Sequence, residues 1–296
     1  MSFFLFPGQG SQKVGMGQGF YENSPIAKDV LDEASSLFDG DLLRLLFEGP
    51  QEDLNHTRAA QPALLAVEVA TAHHLIDLGI APTGCAGHSL GEIPALVVSG
   101  ALAFADAFRF TLERARLMSE NVPEGGMAAV MGLEADTIAA NLPDGVQVAN
   151  FNGPGQTIIS GSKAGIEMAQ TTLKAAGAKR VLPLKVSGPF HSAFMRPAAE
   201  ELAAVLADMD IAPPETRFVS SVTAQAESDP EAIRGLLAEQ LYSPVRWTEV
   251  IGVVGTDDAF EVGPGNVLKG LARRMDNAPA ITCIGGVADV EALIGS

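Results

Sequence analysis

The sequence predicts an α/β protein with a mostly parallel sheet and a smaller inserted domain, and three observations predict it. Short apolar runs of strand length alternate with segments of helical periodicity over most of the chain, the pattern of a parallel sheet buried between helical layers. Between Pro123 and Pro189 the order changes to β-α-β-β-α-β, the split unit of ferredoxin-like domains. Finally, Gly87-His88-Ser89-Leu90-Gly91 sets a serine between two glycines, after a strand-compatible run and before a helix-compatible one.

The first element is the buried strand "FFLF", followed by the glycine-rich loop "PGQGSQKVGMGQG". Helical periodicity covers 26–38 and 62–78, a short strand leads to the serine turn, and helices continue through Met118. In the insert, "MAAVMGL" is a strand, 136–142 a helix, "VQVANFNG" and "QTIISGS" two strands joined by a Pro-Gly turn, 164–176 a helix and "KRVLPLKV" a last strand. A self-contained unit of this size is most simply an insertion. Residues 1–122 and 190–296 are therefore expected to form the large domain, and 123–189 the ferredoxin-like small one. "TRFVSSV", "DAFEVG" and "AITCIGG" supply further strands of the large sheet. A site is expected in the cleft between the two lobes.

Composition narrows the function classes. With 296 residues, 47% of them hydrophobic, the chain can bury a large core, and its uncharged apolar segments are too short to cross a bilayer. "MSFFLF" carries no basic region and no cleavage site, so no signal peptide is expected and the protein reads as a cytoplasmic monomer. A formal net charge of −17 argues against nucleic acid or an anionic membrane as a main partner, since phosphate binding needs clustered lysine and arginine. Cys85 and Cys283 lack any disulfide or metal-site pattern and read as core fillers.

The glycine-rich loop fails both phosphate-binding fingerprints. Gly10 and Gly15 have the spacing of a phosphate-cradling loop, but Met16 and Gly17 stand where lysine and serine or threonine are needed, and Lys13 takes the place of the third glycine of a dinucleotide site. Such a loop can instead offer a backbone N–H beside Ser89, and Gln9 is the residue expected to supply it.

Ser89 needs a base. His56 lies in a polar stretch, His73 and His74 lie inside a helix, and His88 sits in the turn itself, aimed away from Ser89. His191 differs: "VSGPFHSAF" places it where the chain re-enters the large domain, and the order serine then histidine is that of α/β hydrolases. No acidic third member announces itself, so a backbone carbonyl or a polar side chain is left to orient the ring. In "FADAFRFTLERARLM", Arg109, Glu113, Arg116 and Glu120 form a charged face, whereas Arg114 falls beside Ala107 and Met118 and points inward. A buried guanidinium requires an anionic partner, either a nearby carboxylate of the protein or a substrate carboxylate held bidentately. Serine, histidine and inward arginine together describe acyl transfer on a substrate with a free carboxylate; a thiol acceptor and water are not separated by these residues.

"FPGQGSQ" (6–12), "TRAAQPAL" (57–64), "GHSLGE", "NFNGPGQ" (150–156), "SGPFHSAFM" (187–195), "LYSPVRW" (241–247) and "EVGPGNVL" (261–268) stand in the order and spacing of the malonyl-CoA:acyl carrier protein transacylases, and the chain resembles that family over nearly its whole length. The resemblance implies a hydrolase-like domain carrying a ferredoxin-like one, Ser89 as the residue that becomes malonylated, His191 as its base and Arg114 as partner of the malonyl carboxylate. It implies backbone amides of Gln9 and Leu90 as an oxyanion hole, and Phe190 as a bulky residue excluding branched acyl groups. It further implies malonyl-CoA and holo acyl carrier protein as transient partners, with no cofactor and no metal. Two departures stand out: Arg246 where bacterial members often have glutamine, and Ser220 or Ser221 where asparagine is common. An acidic carrier would need a local basic surface, with Lys185, Arg196, Lys269, Arg273 and Arg274 as candidates. A polyketide-pathway acyltransferase, a serine thioesterase and a non-enzymatic docking module are the rival readings.

Overall fold

The computed structural model describes residues 2–120 and 122–295. Six strands form one sheet: β1 (Ser2–Phe6), β2 (Pro82–Gly87), β7 (Arg217–Val219), β8 (Ala226–Glu227), β9 (Ala259–Val262) and β10 (Ile281–Ile284), in the order β10-β9-β1-β2-β7-β8. All pairings are parallel except that of β8, which the sequence reading missed because two residues carry no periodicity. β1 lies between β9 and β2, and its Phe4, Leu5 and Phe6 are fully buried, as a strand covered on both faces requires. Because Phe6 pairs with Gly87, β1 and β2 end level, and the loops that follow them emerge side by side. Ligands of open parallel sheets bind in the crevice outside such carboxyl ends.

The second sheet contains β3 (Gly126–Met131), β4 (Val146–Gly153), β5 (Gln156–Gly161) and β6 (Arg180–Pro183). Its order, β4-β5-β3-β6, is fully antiparallel, the ferredoxin-like arrangement expected from the element order. Alternation along the strands divides its faces. Ala128, Val130, Ile159 and Val181 pack with Ile166, Ala169 and Leu173 of the helix Lys163–Ala175, while Met127, Ala149 and Ile158 join the core of the large sheet. β4 is also tied to the segment that enters the helix Trp247–Val254: Phe151 N–H donates to Val245 O at 2.9 Å, Val245 N–H to Ala149 O at 2.8 Å, and the Thr248 hydroxyl Oγ1 to Phe151 O at 2.9 Å.

The helix Thr57–Asp77 starts five residues before the expected 62, with Pro62 inside it, and runs through the core with most of its side chains buried. Glu68 on this helix is fully buried with neither carboxyl oxygen hydrogen-bonded, and it packs so closely on Gly263 that a Cβ there would meet its side chain at 2.7 Å. Burial, and then the charge of Glu261, push its pKa well above the usual carboxylate range. Cys85 is buried as expected and its thiol pKa is raised by burial; Cys283 is only half-buried, against Glu261 at 3.6 Å. Among the described residues no helix is long and apolar enough to cross a membrane.

Candidate active site

The turn after β2 is tight because two glycines allow it. A Cβ on Gly87 would lie 1.9 Å from the Gly91 carbonyl carbon, and one on Gly91 would lie 2.1 Å from Phe6 O. No side chain fits either place. Ser89 itself takes a left-handed φ of 53°, a strained conformation that persists only where the surroundings enforce it. Its hydroxyl is thereby presented above the sheet at the start of a short 3₁₀ turn, Ser89–Gly91.

His191 reaches Ser89 from 102 positions downstream, with Nε2 at 2.8 Å from Oγ. It too has a left-handed φ, of 55°, and its N–H is tied to Leu241 O at 2.9 Å. Nδ1 faces two carbonyl oxygens, Gln240 O at 2.9 Å and Ser243 O at 3.2 Å. Carbonyls only accept, so the proton sits on Nδ1 and the Nε2 lone pair faces the serine hydroxyl. The orienting group is thus backbone, the first of the two possibilities the sequence left open. Burial, then the Arg114 and His88 charges, lower the His191 pKa to about 3, so the ring is neutral at physiological pH.

Arg114, on the helix Phe104–Leu117, points inward with 1% of its surface exposed. Among the described residues no carboxylate pairs with it directly. Nη1 donates to Gln61 Oε1 at 2.6 Å, Nη2 to Gln240 Oε1 at 2.9 Å, and Nη2 also stands 3.4 Å from Ser89 Oγ. Nε is buried without an acceptor. Burial lowers its pKa to about 10, which leaves it protonated. Among the described residues, its remaining N–H donors therefore have no protein partner other than the long contact to the serine.

These groups line one cavity of about 520 Å³ together with Gln9, Leu90, Phe190, Met118, Met127, Asn150, Ile158 and Lys185. The Gln9 and Leu90 amides have no acceptor among the described residues, while the Gln9 side chain donates to Thr57 Oγ1 at 3.2 Å and holds its loop. Phe190, 6% exposed, forms part of the wall. His88 turns away from Ser89, as expected, and bonds Asn152 Oδ1 at 2.8 Å with its ring against Trp247. Among the described residues no group of three His, Cys, Asp or Glu is arranged to hold a metal ion.

The departures resolve into partners elsewhere. Arg246 pairs with Glu249 and reaches Thr223 O at 3.1 Å, taking no part in orienting His191. Ser221 is not part of the cavity wall; its hydroxyl donates to the buried Glu92 at 2.5 Å. Of the five basic candidates, Lys185 lies at the cavity, Arg196 stacks on Tyr242 at 4.2 Å, and Arg274 reaches Gln156 at 3.4 Å. Among the described residues none of the five forms an ion pair. Gln61, Glu92 and Gln240 were not picked out from the sequence, although Gln61 and Glu92 lie inside quoted motifs and Gln240 directly precedes "LYSPVRW".

Residues 3–267 match the acyl transferase domain family. The chain is 45% identical over 287 residues to the malonyl CoA-acyl carrier protein transacylase of Bacillus subtilis, covering 92% of this chain and 90% of that protein. Against the malonyl CoA-acyl carrier protein transacylase of Escherichia coli K12 the identity is 45% over 283 residues, 92% of each. The fold is similar, with a TM-score of 0.95 and 41% identity over the whole of both chains, to a malonyl-transacylase solved in complex with its holo type II PKS acyl-carrier protein. It is similar, with a TM-score of 0.95 and 43% identity over 98% of this chain and 99% of that one, to an acyl carrier protein S-malonyltransferase from Vibrio cholerae. On sequence and fold alike, the chain belongs to the acyl transferase domain family and, within it, to the malonyl CoA-acyl carrier protein transacylases.

Proposed function

We propose that this protein transfers a malonyl group from malonyl-CoA to the phosphopantetheine thiol of holo acyl carrier protein, through a malonyl ester on Ser89, and so supplies extender units for fatty acid synthesis. The observation that carries the reading is the meeting of three groups: the Ser89 hydroxyl lies 2.8 Å from an unprotonated His191 nitrogen and 3.4 Å from a guanidinium with free N–H donors.

The thioester carbonyl lies over Ser89 and the malonyl carboxylate accepts from Arg114. As Oγ attacks the carbonyl carbon, its proton passes to His191 Nε2, and the Gln240 and Ser243 carbonyls stabilise the imidazolium through Nδ1–H. Gln9 and Leu90 amides stabilise the tetrahedral oxyanion. The intermediate collapses, the C–S bond breaks, and coenzyme A leaves as the thiol with the proton from His191. The carrier's thiol then gives its proton to His191 and attacks the ester, the C–O bond breaks, and Ser89 recovers its proton. Ping-pong kinetics follow. Phe190 narrows the wall against branched acyl groups. Residues 1–122 with 190–296 are the catalytic lobe and 123–189 the inserted one, in a cytoplasmic monomer.

The test is intact-mass measurement after mixing with malonyl-CoA. One malonyl group is expected to be gained, discharged by holo carrier protein, and absent in Ser89→Ala. Release of free malonate faster than discharge to the carrier would overturn the transfer reading in favour of a thioesterase.

A further inference from the structure

The Arg114 cation is buried, yet the carboxylate nearest to it in the hydrogen-bond network does not touch it. Glu92, 1% exposed, stands one residue beyond the serine turn. It accepts from Ser221 Oγ at 2.5 Å, Ser221 N–H at 3.3 Å and Gln240 Nε2 at 2.5 Å. The other proton of that Gln240 amide goes to Ser89 O at 3.1 Å. Both of its N–H groups thus face acceptors, the ionised Glu92 carboxylate and a backbone carbonyl; burial raises the Glu92 pKa, and the hydrogen bonds it accepts from Ser221 and Gln240 oppose that rise. Gln240 Oε1 is left pointing at Arg114 Nη2, 2.9 Å away. Turning the amide over would set its oxygen against the carboxylate and its NH₂ against the guanidinium, two repulsive contacts at once.

The consequence concerns what Arg114 has free. A carboxylate in direct contact would take two adjacent N–H groups and fill the edge that a substrate carboxylate needs. With a neutral amide between them, Glu92 offsets the buried positive charge from a distance, and among the described residues the guanidinium keeps Nε and one Nη1 N–H without a protein acceptor, its second Nη2 N–H making only the long 3.4 Å contact to Ser89 Oγ. Ser221 completes the arrangement by anchoring Glu92 from β7's end with both its hydroxyl and its N–H.

We infer that Glu92 is a positioning and specificity-determining residue: acting through the Gln240 amide, it holds Arg114 charged, fixed and open toward the cavity, and so sets the preference for a carboxylated acyl group. The inference rests on the reading of Arg114 as partner of the malonyl carboxylate.

Glu92→Gln keeps the shape but removes the acceptor-only partner, since a glutamine can face Gln240 either way. The holo-carrier transfer assay with malonyl-CoA and acetyl-CoA should show malonyl kcat/KM falling about 10- to 100-fold, the worth of one charge-assisted hydrogen bond, mainly through KM, with acetyl kcat/KM unchanged. A merely structural role would lower both substrates together and leave their ratio where it was, and that result overturns the inference. If Glu92→Gln does not fold, Ser221→Ala carries the test, with a smaller fall of the same malonyl:acetyl ratio expected and an unchanged ratio overturning it. Arg114→Met in parallel separates the two levels: a ratio lost there but kept in Glu92→Gln rejects only the role of Glu92, whereas a ratio kept in both rejects the reading of Arg114.

Discussion

Replacing Arg114 by methionine removes the charge and keeps most of the volume, and the structure sets the size of the effect. Of the five guanidinium N–H donors, Gln61 and Gln240 take one each, the contact to Ser89 Oγ is long at 3.4 Å, and Nε has no acceptor. A malonyl carboxylate bound bidentately takes two of those left, each worth about 1.5–3 kcal/mol as a hydrogen bond to a charged group. Losing both costs roughly 3–6 kcal/mol, and at about 1.4 kcal/mol per tenfold the malonyl kcat/KM should fall by at least 10²-fold. Acetyl-CoA brings no carboxylate and should keep or improve its rate. The same substitution deletes one of the charges holding the His191 pKa down, so the acid limb of the rate profile should move up in pH. The assay is transfer to holo carrier protein from both thioesters, with a thermal melt to confirm folding; the melt should fall by several degrees because two buried amide oxygens lose their donor. A folded Arg114→Met protein with an unaltered malonyl:acetyl ratio refutes the reasoning.

Four further outcomes are expected. His191, lowered from 6.5 to about 3, stays neutral in mildly acid solution, so single-turnover malonylation should hold its rate through pH 6.5 and fall only below about pH 5; a midpoint near 6.5 contradicts the burial argument. Its depressed folded pKa contributes stability that is present above 6.5 and lost as the pH falls toward 3, and urea melts of His191→Asn should show a shallower acid decline than the wild type. Glu68 is the reverse case. As an acid whose folded pKa is raised, it contributes stability below its unfolded pKa that is lost as pH rises, so Glu68→Leu should stabilise by about 1–3 kcal/mol at pH 8 and by less at pH 5; an equal or larger gain at pH 5 contradicts it. Gly91→Ala drives a Cβ to 2.1 Å from Phe6 O, backbone that cannot step aside, and should lower the melting temperature by roughly 5 °C or more and abolish malonylation of Ser89.

The parts of the site that were legible in the sequence are those that local geometry encodes. The serine turn announced itself because only glycine fits at 87 and 91, and Arg114 because its angular position on a helix is fixed by spacing alone. The β-α-β-β-α-β order gave the antiparallel sheet and its strand order for the same reason, since element type follows periodicity. What was not legible depends on contacts between distant segments. The group that orients His191 is a pair of backbone carbonyls, and every residue has one, so no letter marks Gln240 or Ser243 for that work. The side chain of Gln240 looked like any polar residue at a helix end. Only folding brings it within reach of Ser89, Glu92 and Arg114 together. The start of the helix Thr57–Asp77 was misjudged because Pro62 looks like a first-turn residue and here lies inside.

The strand β4 is stitched along its edge to the segment around Val245 and, through Asn152, to the imidazole in the serine turn. Pulling β4 away from that segment would break two main-chain hydrogen bonds together with the imidazole's bond to Asn152. Asn150 and Asn152 also line the cavity, so the same bonds that join β4 to its neighbours hold the shape of the wall that an acyl group meets beside Ser89.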